Sequence, residues 1–254
     1  MAKIISIVSG KGGVGKTTTV SNLGVALADH GRNVIILDAN VTTPNLSLHL
    51  GIPFYPITLH DVLKKKIPIE SALYDHPSGI KIVPASLSSD AMKGVNMEKL
   101  EGVLWSLLGK ADIIIIDSAA GLGKEAQTAI EVADELLIVT NPDLPAVTDA
   151  LKAVKLAEDN GTKILGVVVN RVREQSHELS LEEISSMLEV PIIAVVPEDV
   201  YVPRSISKKI PLVHYKPSSD AAKEFKKLAK KIMGESTEVK RRKNWVKRLF
   251  FWIR

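Results

Sequence analysis

Hydrophobic and polar positions along the chain alternate between short, continuously apolar runs and longer stretches with helical spacing. The apolar runs predict strands at Lys3–Ser9, Asn33–Asp38, Ile80–Pro84, Asp112–Asp117, Glu135–Thr140, Ile164–Asn170 and Pro191–Val196. The stretches between them predict helices at Thr17–His30, Met97–Leu108, Lys124–Ala133, Pro145–Asn160, Ser180–Leu188 and Ser218–Met233. Strands that are apolar on both faces and alternate with helices are typical of a parallel sheet that is covered on both sides. The pattern therefore predicts a doubly wound, mostly parallel α/β fold.

Local signals support several of these helix ends. Gly31 and Gly161 follow two of the predicted helices, where glycine commonly adopts the left-handed conformation that ends a helix. Ser180 and Glu183 have the spacing of a capping box, which predicts that a helix begins after Ser180.

Composition excludes several classes of protein. The 254 residues are 45% hydrophobic, which is enough for a substantial core. No run of about 18 apolar residues is present, so no segment is expected to span a bilayer. The chain starts with a strand pattern instead of a secretory signal, and we expect a cytoplasmic location. Because there is no cysteine, disulfides, thiolate metal sites and cysteine nucleophiles are excluded.

The charge is concentrated at the C-terminus. Residues 240–254 contain seven cations and no acid, so removing them from the net charge of +4 leaves residues 1–239 at −3. Two of the three Trp and two of the four Phe lie in the same segment. The sequence therefore predicts a domain over 1–233, a polar linker over 234–242 and a separate basic tail over 243–254, with residues 1–239 mildly acidic as a whole.

The tail has the pattern of a short amphipathic helix. At 100° per residue its apolar side chains share one arc of roughly 160°, and Phe251 alone lies outside that arc. Twelve helical residues are about 18 Å long, which suits a helix that lies in a membrane interface. The residues expected to enter the membrane are Trp245, Leu249, Phe250, Trp252 and Ile253. The alternatives are packing on the domain or on a partner protein, and binding of DNA phosphates by the cations.

A phosphate-binding motif lies between the first predicted strand and the first predicted helix. Residues 10–17 read GKGGVGKT and match G-x-x-x-x-G-K-[ST]. Glycines let successive backbone N–H groups point at phosphate oxygens, and the following helix adds its positive end. Lys16 supplies a charge for the β- and γ-phosphates, and the Thr17 hydroxyl is a magnesium ligand. The motif predicts binding of ATP or ADP with Mg²⁺.

Lys11 adds a second lysine to this loop. Residues 11–18 read KGGVGKTT and resemble the signature of the MinD/ParA family of deviant Walker A ATPases, K-G-G-x-G-K-T-[ST]. In that family the additional lysine reaches the nucleotide of a partner subunit. The resemblance implies a homodimer that forms on ATP binding, with ATP between the two copies, and it is greatest to the MinD branch of archaeal type.

The resemblance extends over most of the chain and implies the remaining site residues. Residues 38–46 resemble the family's first switch, and 117–122 its second, with Ala119 in place of the usual proline. Residues 140–149 resemble a segment near the dimer and partner surface. The residues implied to bind nucleotide are Gly10, Lys11, Gly12, Gly13, Val14, Gly15, Lys16, Thr17, Thr18, Asn170, Arg171, Pro197, Glu198 and Asp199.

Two aspartates are candidate metal ligands together with Thr17. Asp38 and Asp117 each end an apolar strand, and open α/β folds bind ligands at the carboxyl edge of the sheet. A carboxylate at that edge holds magnesium directly or through water. The alternative for each is an ordinary turn aspartate.

Asn40 departs from the family pattern, which has aspartate at this position to orient the attacking water. An amide brings no negative charge and accepts no proton. We therefore expect catalysis by Lys11, Lys16 and Asn40 in which hydrolysis of ATP is slow. The sequence leaves open whether Asn40 is native or an introduced substitution.

Together these features predict an ATPase that dimerises on ATP and then binds an anionic membrane, where it positions or recruits a partner protein, as in cell division. One alternative is a membrane scaffold that binds ATP and scarcely hydrolyses it. Another is a ParA-like ATPase that partitions DNA or cargo.

Overall fold

The computed structural model describes residues 2–52, 54–65 and 67–235. Its strands are β1 Lys3–Val8, β2 Val34–Asp38, β3 Tyr74–Asp75, β4 Lys81–Val83, β5 Ile113–Asp117, β6 Glu135–Thr140, β7 Lys163–Val172 and β8 Ile192–Pro197. They form one sheet in the order β3-β4-β2-β5-β1-β6-β7-β8, in which only the β3–β4 pair is antiparallel. The predicted doubly wound fold is confirmed.

Ten α-helices connect and cover these strands within the described residues. They are α1 Lys16–Asp29, α2 Leu46–Leu50, α3 Leu59–Lys65, α4 Leu100–Trp105, α5 Lys124–Glu131, α6 Leu144–Asp159, α7 Leu181–Leu188, α8 Tyr201–Lys208, α9 Leu212–Tyr215 and α10 Asp220–Ile232. The capping box at Ser180 and Glu183 is present, and Gly31 and Gly161 have φ of 78° and 69° as their positions require.

The helix expected at 97–108 is shorter than its pattern suggested. Met97–Lys99 form a 3₁₀ turn, which Asn96 caps by accepting a hydrogen bond from the backbone N–H of Glu98 at 3.0 Å. The α-helical part ends at Trp105, and Gly109 with φ of 87° turns the chain towards β5. Between Trp105 and Gly109 the chain forms tight turns, in which the Leu107 N–H donates to the Leu104 carbonyl at 2.9 Å and the Leu108 N–H to the Trp105 carbonyl at 3.2 Å.

Alternate residues of the central strands pack on opposite faces of the sheet. In β2, Ile36 packs with α1 and α10 on one face, whereas Ile35 and Leu37 pack with α3 and α4 on the other. All three are completely buried, and burial of one such side chain stabilises the fold by about 1.5–3 kcal/mol. The two covered faces hold the strands in register, so the carboxyl ends of β1, β2 and β5 lie side by side.

Candidate nucleotide site

The loop between β1 and α1 has the backbone that the phosphate-binding motif requires. Gly15 precedes the first turn of α1 with φ of 97°, and no side chain in the described part of the chain caps that turn. Its N–H groups are therefore available to an anion, beside the positive end of the helix dipole. A Cβ on Gly15 would lie 2.1 Å from Nδ2 of Asn170, so only glycine fits between the loop and β7.

Lys16 is buried beside the ends of two neighbouring strands. Its ammonium donates to Oδ1 of Asp117 at 3.3 Å and to the carbonyl of Ser118 at 2.6 Å. Asp38 and Asp117 are register partners on β2 and β5, so both carboxylates lie at the carboxyl edge next to Lys16. The structure brings together the three side chains that the sequence indicated.

The two carboxylates differ in their surroundings. Burial, and then the neighbouring Asp117 charge, raise the pKa of Asp38 well above its ordinary value, although backbone N–H groups of Leu46 and Asn40 and the charge of Lys16 act in the opposite direction. Oδ2 of Asp117 is buried and accepts no hydrogen bond from the described residues. A buried carboxylate oxygen without a donor fits a magnesium ion, which takes one or two carboxylates in addition to phosphate and water. Among the described residues no cluster of three or more His, Cys, Asp or Glu forms a metal site without nucleotide.

A pocket of about 280 Å³ lies next to the phosphate loop. It brings together the predicted residues Gly15, Thr18, Asn170, Arg171, Pro197, Glu198 and Asp199. Nδ2 of Asn170 donates to the Val14 carbonyl at 2.7 Å and so joins β7 to the phosphate loop. The pocket has the position and size for a base attached to phosphates in the loop.

Sequence reasoning missed one side of this pocket. Val202, Pro203 and Ile206 of α8 and Phe225 of α10 also line it. Phe225 is completely buried, so it forms an apolar floor. Helix α8 has only eight residues, and its pattern gave no signal that these side chains approach a strand end.

Lys11 lies in the same loop as Lys16 but in a different environment. Lys11 is exposed, whereas Lys16 is 7% exposed. The Ser9 hydroxyl donates to the Lys11 carbonyl at 3.0 Å and fixes the turn, and within the described residues the Lys11 ammonium makes no ion pair. One lysine is thus directed into the site and the other is available to a second molecule.

Residues 38–46, which we call the switch loop, are fixed by three elements. The Leu46 N–H donates to Asp38 Oδ2 at 3.3 Å, and Nε2 of His60 in α3 bonds to the Val41 carbonyl at 3.0 Å. Thr42 donates to the carboxylate of Glu125 in α5. His60 and Glu125 carried no motif, so their contacts with this loop were not foreseen.

The sequence matches a known family over nearly its whole length. The sequence profile of the ParA family, described as NUBPL iron-transfer P-loop NTPase, matches residues 1–233. The chain belongs to the ParA family of P-loop NTPases. The deviant Walker A resemblance is confirmed.

Relatives of this ParA-family chain are MinD proteins and archaeal ATP-binding proteins. An uncharacterised ATP-binding protein of Methanocaldococcus jannaschii is 43% identical over 243 residues, which cover 96% of this chain and 92% of the relative. The crystal structure of the cell division ATPase MinD of Pyrococcus furiosus has a TM-score of 0.89 at 41% identity and covers 92% of this chain and 99% of that one. The septum site-determining protein MinD of Pyrococcus horikoshii OT3, in complex with Mg-ADP, has a TM-score of 0.88 at 40% identity, with 91% and 96% covered.

The predicted tail of this ParA-family chain, residues 243–254, lies outside the described residues, as does the linker after Glu235. Their roles stay predictions. Among the described helices, none has the length and hydrophobicity that crossing a membrane requires.

Proposed function

We propose that this chain is a MinD-type ATPase switch, in which ATP joins two copies and the dimer binds an anionic membrane, where it recruits a partner protein. The observation that carries the proposal is the contrast between two lysines of one loop. Lys16 is buried against Asp117, and Lys11 is exposed without an ion pair among the described residues. A loop that needed only to hold phosphate within one chain has no use for the second cation.

The residues present suit ATP with Mg²⁺, as Mg-ADP is bound by the P. horikoshii relative. Lys16 and the open N–H groups of α1 would hold the phosphates, and the pocket at Asn170 would hold the base. Thr17, Asp38 and Asp117 would hold the metal, whose charge would polarise the terminal phosphate. Lys11 of the second copy would add a positive charge from outside the site.

Hydrolysis would be slow because Asn40 lacks the charge that the family uses to orient water. Loss of such a group typically costs 10²–10⁴-fold in rate. This favours one second candidate, a membrane scaffold that binds ATP and scarcely turns it over. A phosphate-release assay with and without anionic liposomes separates the two, since only the switch is expected to show sustained turnover.

The tail would convert dimerisation into membrane binding. One short amphipathic helix binds a bilayer weakly, and two linked helices bind far more strongly because the second insertion is intramolecular. Each cation near an anionic leaflet adds about 1 kcal/mol. We propose that 1–233 form the ATPase domain, 234–242 the linker and 243–254 the membrane segment.

Liposome co-sedimentation tests this function. The full chain is expected to pellet with anionic liposomes in Mg·ATP and to stay in the supernatant in Mg·ADP. A variant truncated after Gly234 is expected to bind nucleotide normally and to stay in the supernatant in both Mg·ATP and Mg·ADP. Equal pelleting in ATP and ADP, or undiminished pelleting of the truncation, would contradict the proposal.

A further inference from the structure

Asn40 is bonded to the switch loop itself. Its Oδ1 accepts from the N–H and from the hydroxyl of Thr43, both at 3.1 Å, and its Nδ2 donates to the Thr43 carbonyl at 2.6 Å. Nδ2 of Asn45 donates to the same carbonyl at 2.9 Å. We call these four hydrogen bonds among Asn40, Thr43 and Asn45 the asparagine clasp. Asn40 is 6% exposed, so the clasp is largely shielded from water on that side.

The clasp requires an amide at position 40. If the Asn40 amide were turned over, its NH₂ would face the Thr43 N–H and its oxygen would face the Thr43 carbonyl, so these two backbone groups fix its orientation. A carboxylate has no donor, and its second oxygen would face that carbonyl at the same short separation. Two acceptors at 2.6 Å repel, so an aspartate cannot close the clasp in this geometry.

The clasp occupies the side-chain groups with which Asn40 would hydrogen-bond to the attacking water. Both lone pairs of Oδ1 and one of the two Nδ2 protons are directed at Thr43. The rest of the switch loop is held independently, because the Leu46 N–H donates to Asp38 and so joins the two ends of the loop, and His60 holds the Val41 carbonyl. Opening of the clasp therefore frees Asn40 without releasing the rest of the loop.

We propose that Thr43 is a positioning residue that holds the Asn40 carboxamide on the switch loop and thereby limits ATP turnover. The proposal rests on the proposed function, in which the side chain at position 40 orients the attacking water. It adds a second cause of slow hydrolysis. The amide lacks charge, and it also stabilises a loop conformation in which it is occupied.

Removing the Thr43 hydroxyl tests this without changing Asn40. Thr43→Val keeps the size and branching of the side chain and deletes one donor to Oδ1. One hydrogen bond of ordinary net strength corresponds to about a 2- to 10-fold change in the clasp equilibrium. Turnover is therefore expected to rise about 2- to 10-fold with little change in KM. Thr43→Ser keeps the donor and is expected to match the parent. Thr162→Val is the control, because that hydroxyl donates to the Ile130 carbonyl at 3.2 Å just before the amino end of β7, away from the nucleotide site.

Side-chain amide exchange measures the clasp independently of turnover. In the ¹⁵N-asparagine-labelled full chain, the Asn40 NH₂ signal is assigned by its absence in Asn40→Asp. One Asn40 proton is expected to exchange with water more slowly than those of Asn33, an exposed residue whose side chain makes no hydrogen bond among the described residues. The same proton is expected to exchange about 2- to 10-fold faster in Thr43→Val than in the parent or in Thr43→Ser.

Three results would overturn the proposal. Asn40 protons that exchange as fast as those of Asn33 in the parent would show that the clasp does not form. Faster exchange in Thr43→Val at unchanged turnover would show that Thr43 does not limit the reaction. No turnover in the parent, Thr43→Val and Asn40→Asp alike would reject the proposed function, and with it the rate role of Thr43, while the exchange data would still report whether the clasp exists.

Discussion

The ammonium nitrogen of Lys16 lies 3.3 Å from Oδ1 of Asp117, although 101 positions separate the two residues in the chain. Their side chains are 8% and 1% exposed, so the ion pair is buried. Asp38 lies beside Asp117 as its register partner and adds a second buried carboxyl group. One lysine thus balances two acids at the sheet edge, and it is the same lysine that the motif assigns to phosphate.

Replacing this lysine is therefore expected to destabilise the fold as well as nucleotide binding. Lys16→Met leaves a buried carboxylate unpaired, which typically costs about 3–5 kcal/mol. The pKa of Asp38 is already raised, so lowering the pH protonates its carboxylate and removes the repulsion between Asp38 and Asp117. The loss of folding stability in Lys16→Met should therefore be larger at pH 7.5 than at pH 5. Urea unfolding at both pH values measures it.

Lys93→Met is the matched control for this prediction. Lys93 pairs with Asp90 at 3.1 Å, but both side chains are 84% exposed, so its removal is expected to change stability by less than about 0.5 kcal/mol. If Lys16→Met and Lys93→Met changed the stability equally, the buried ion pair between Lys16 and Asp117 would not stabilise the fold more than an exposed pair does.

Two glycines of the phosphate loop offer a test of close packing. A Cβ on Gly10 would lie 2.1 Å from the Asp149 carbonyl oxygen, whereas on Gly12 it would lie 3.7 Å from Ala120. Gly10→Ala forces the loop away from α6 and is expected to cost about 1–3 kcal/mol or more. Gly12→Ala is expected to change the free energy of unfolding by no more than about 0.5 kcal/mol. Thermal unfolding compares them, and equal melting temperatures would contradict the packing.

His60 makes stability depend on pH. Its Nδ1 accepts from the Ser86 N–H at 3.0 Å while Nε2 donates to Val41, an arrangement that only the neutral ring satisfies. Burial lowers the pKa of His60 from 6.5. The unfolded chain therefore takes up its proton first, and this contribution to stability is complete above pH 6.5 and is lost as the pH falls towards the lowered pKa, by at most about 1.4 kcal/mol per pH unit.

Urea unfolding between pH 5 and 7.5 checks this prediction in His60→Gln, which stays neutral throughout. The variant is expected to show a shallower loss of stability at acid pH than the parent. His177→Gln is the control, since His177 is exposed. A parent and His60→Gln that lose stability in parallel would exclude the role of His60.

Much of the fold followed from the sequence because the long elements carry strong local signals. Strands such as β5, with its four consecutive isoleucines, are identified by composition, and α7 by its capping box. The strand and helices that were missed have two to eight residues: β3, α2, α3, α8 and α9. Such segments owe their conformation to packing, so their own pattern carries little information.

The sequence predicted those residues of the candidate site that belong to recognisable motifs. Asp38 and Asp117 end two parallel strands, and Lys16 begins the helix that follows the neighbouring strand β1, so the topology brings the three together. The clasp was not predictable, because the sequence shows that Asn40 lacks a charge but not that Thr43 occupies its amide. A side-chain orientation depends on the path of the loop, which no spacing rule fixes.

Restoring the carboxylate tests the role of position 40. Asn40→Asp supplies the missing charge and cannot close the clasp, so phosphate release is expected to rise at least about 10-fold at saturating Mg·ATP. Asn33→Asp is the comparison, because it adds the same charge on an exposed side chain just before the amino end of β2, away from the site. Turnover that did not rise in Asn40→Asp, or that rose equally in Asn33→Asp, would show that position 40 does not orient the water.

The central claim is that ATP joins two copies of the chain through Lys11. Multi-angle light scattering at saturating nucleotide tests it most directly, with the parent and Lys11→Ala compared in Mg·ATP and Mg·ADP. The parent is expected at twice the 27.6 kDa chain mass in ATP and at that mass in ADP, whereas Lys11→Ala should bind ATP and remain a monomer. A parent that is monomeric in Mg·ATP, or a Lys11→Ala variant that dimerises as the parent does, would contradict the account.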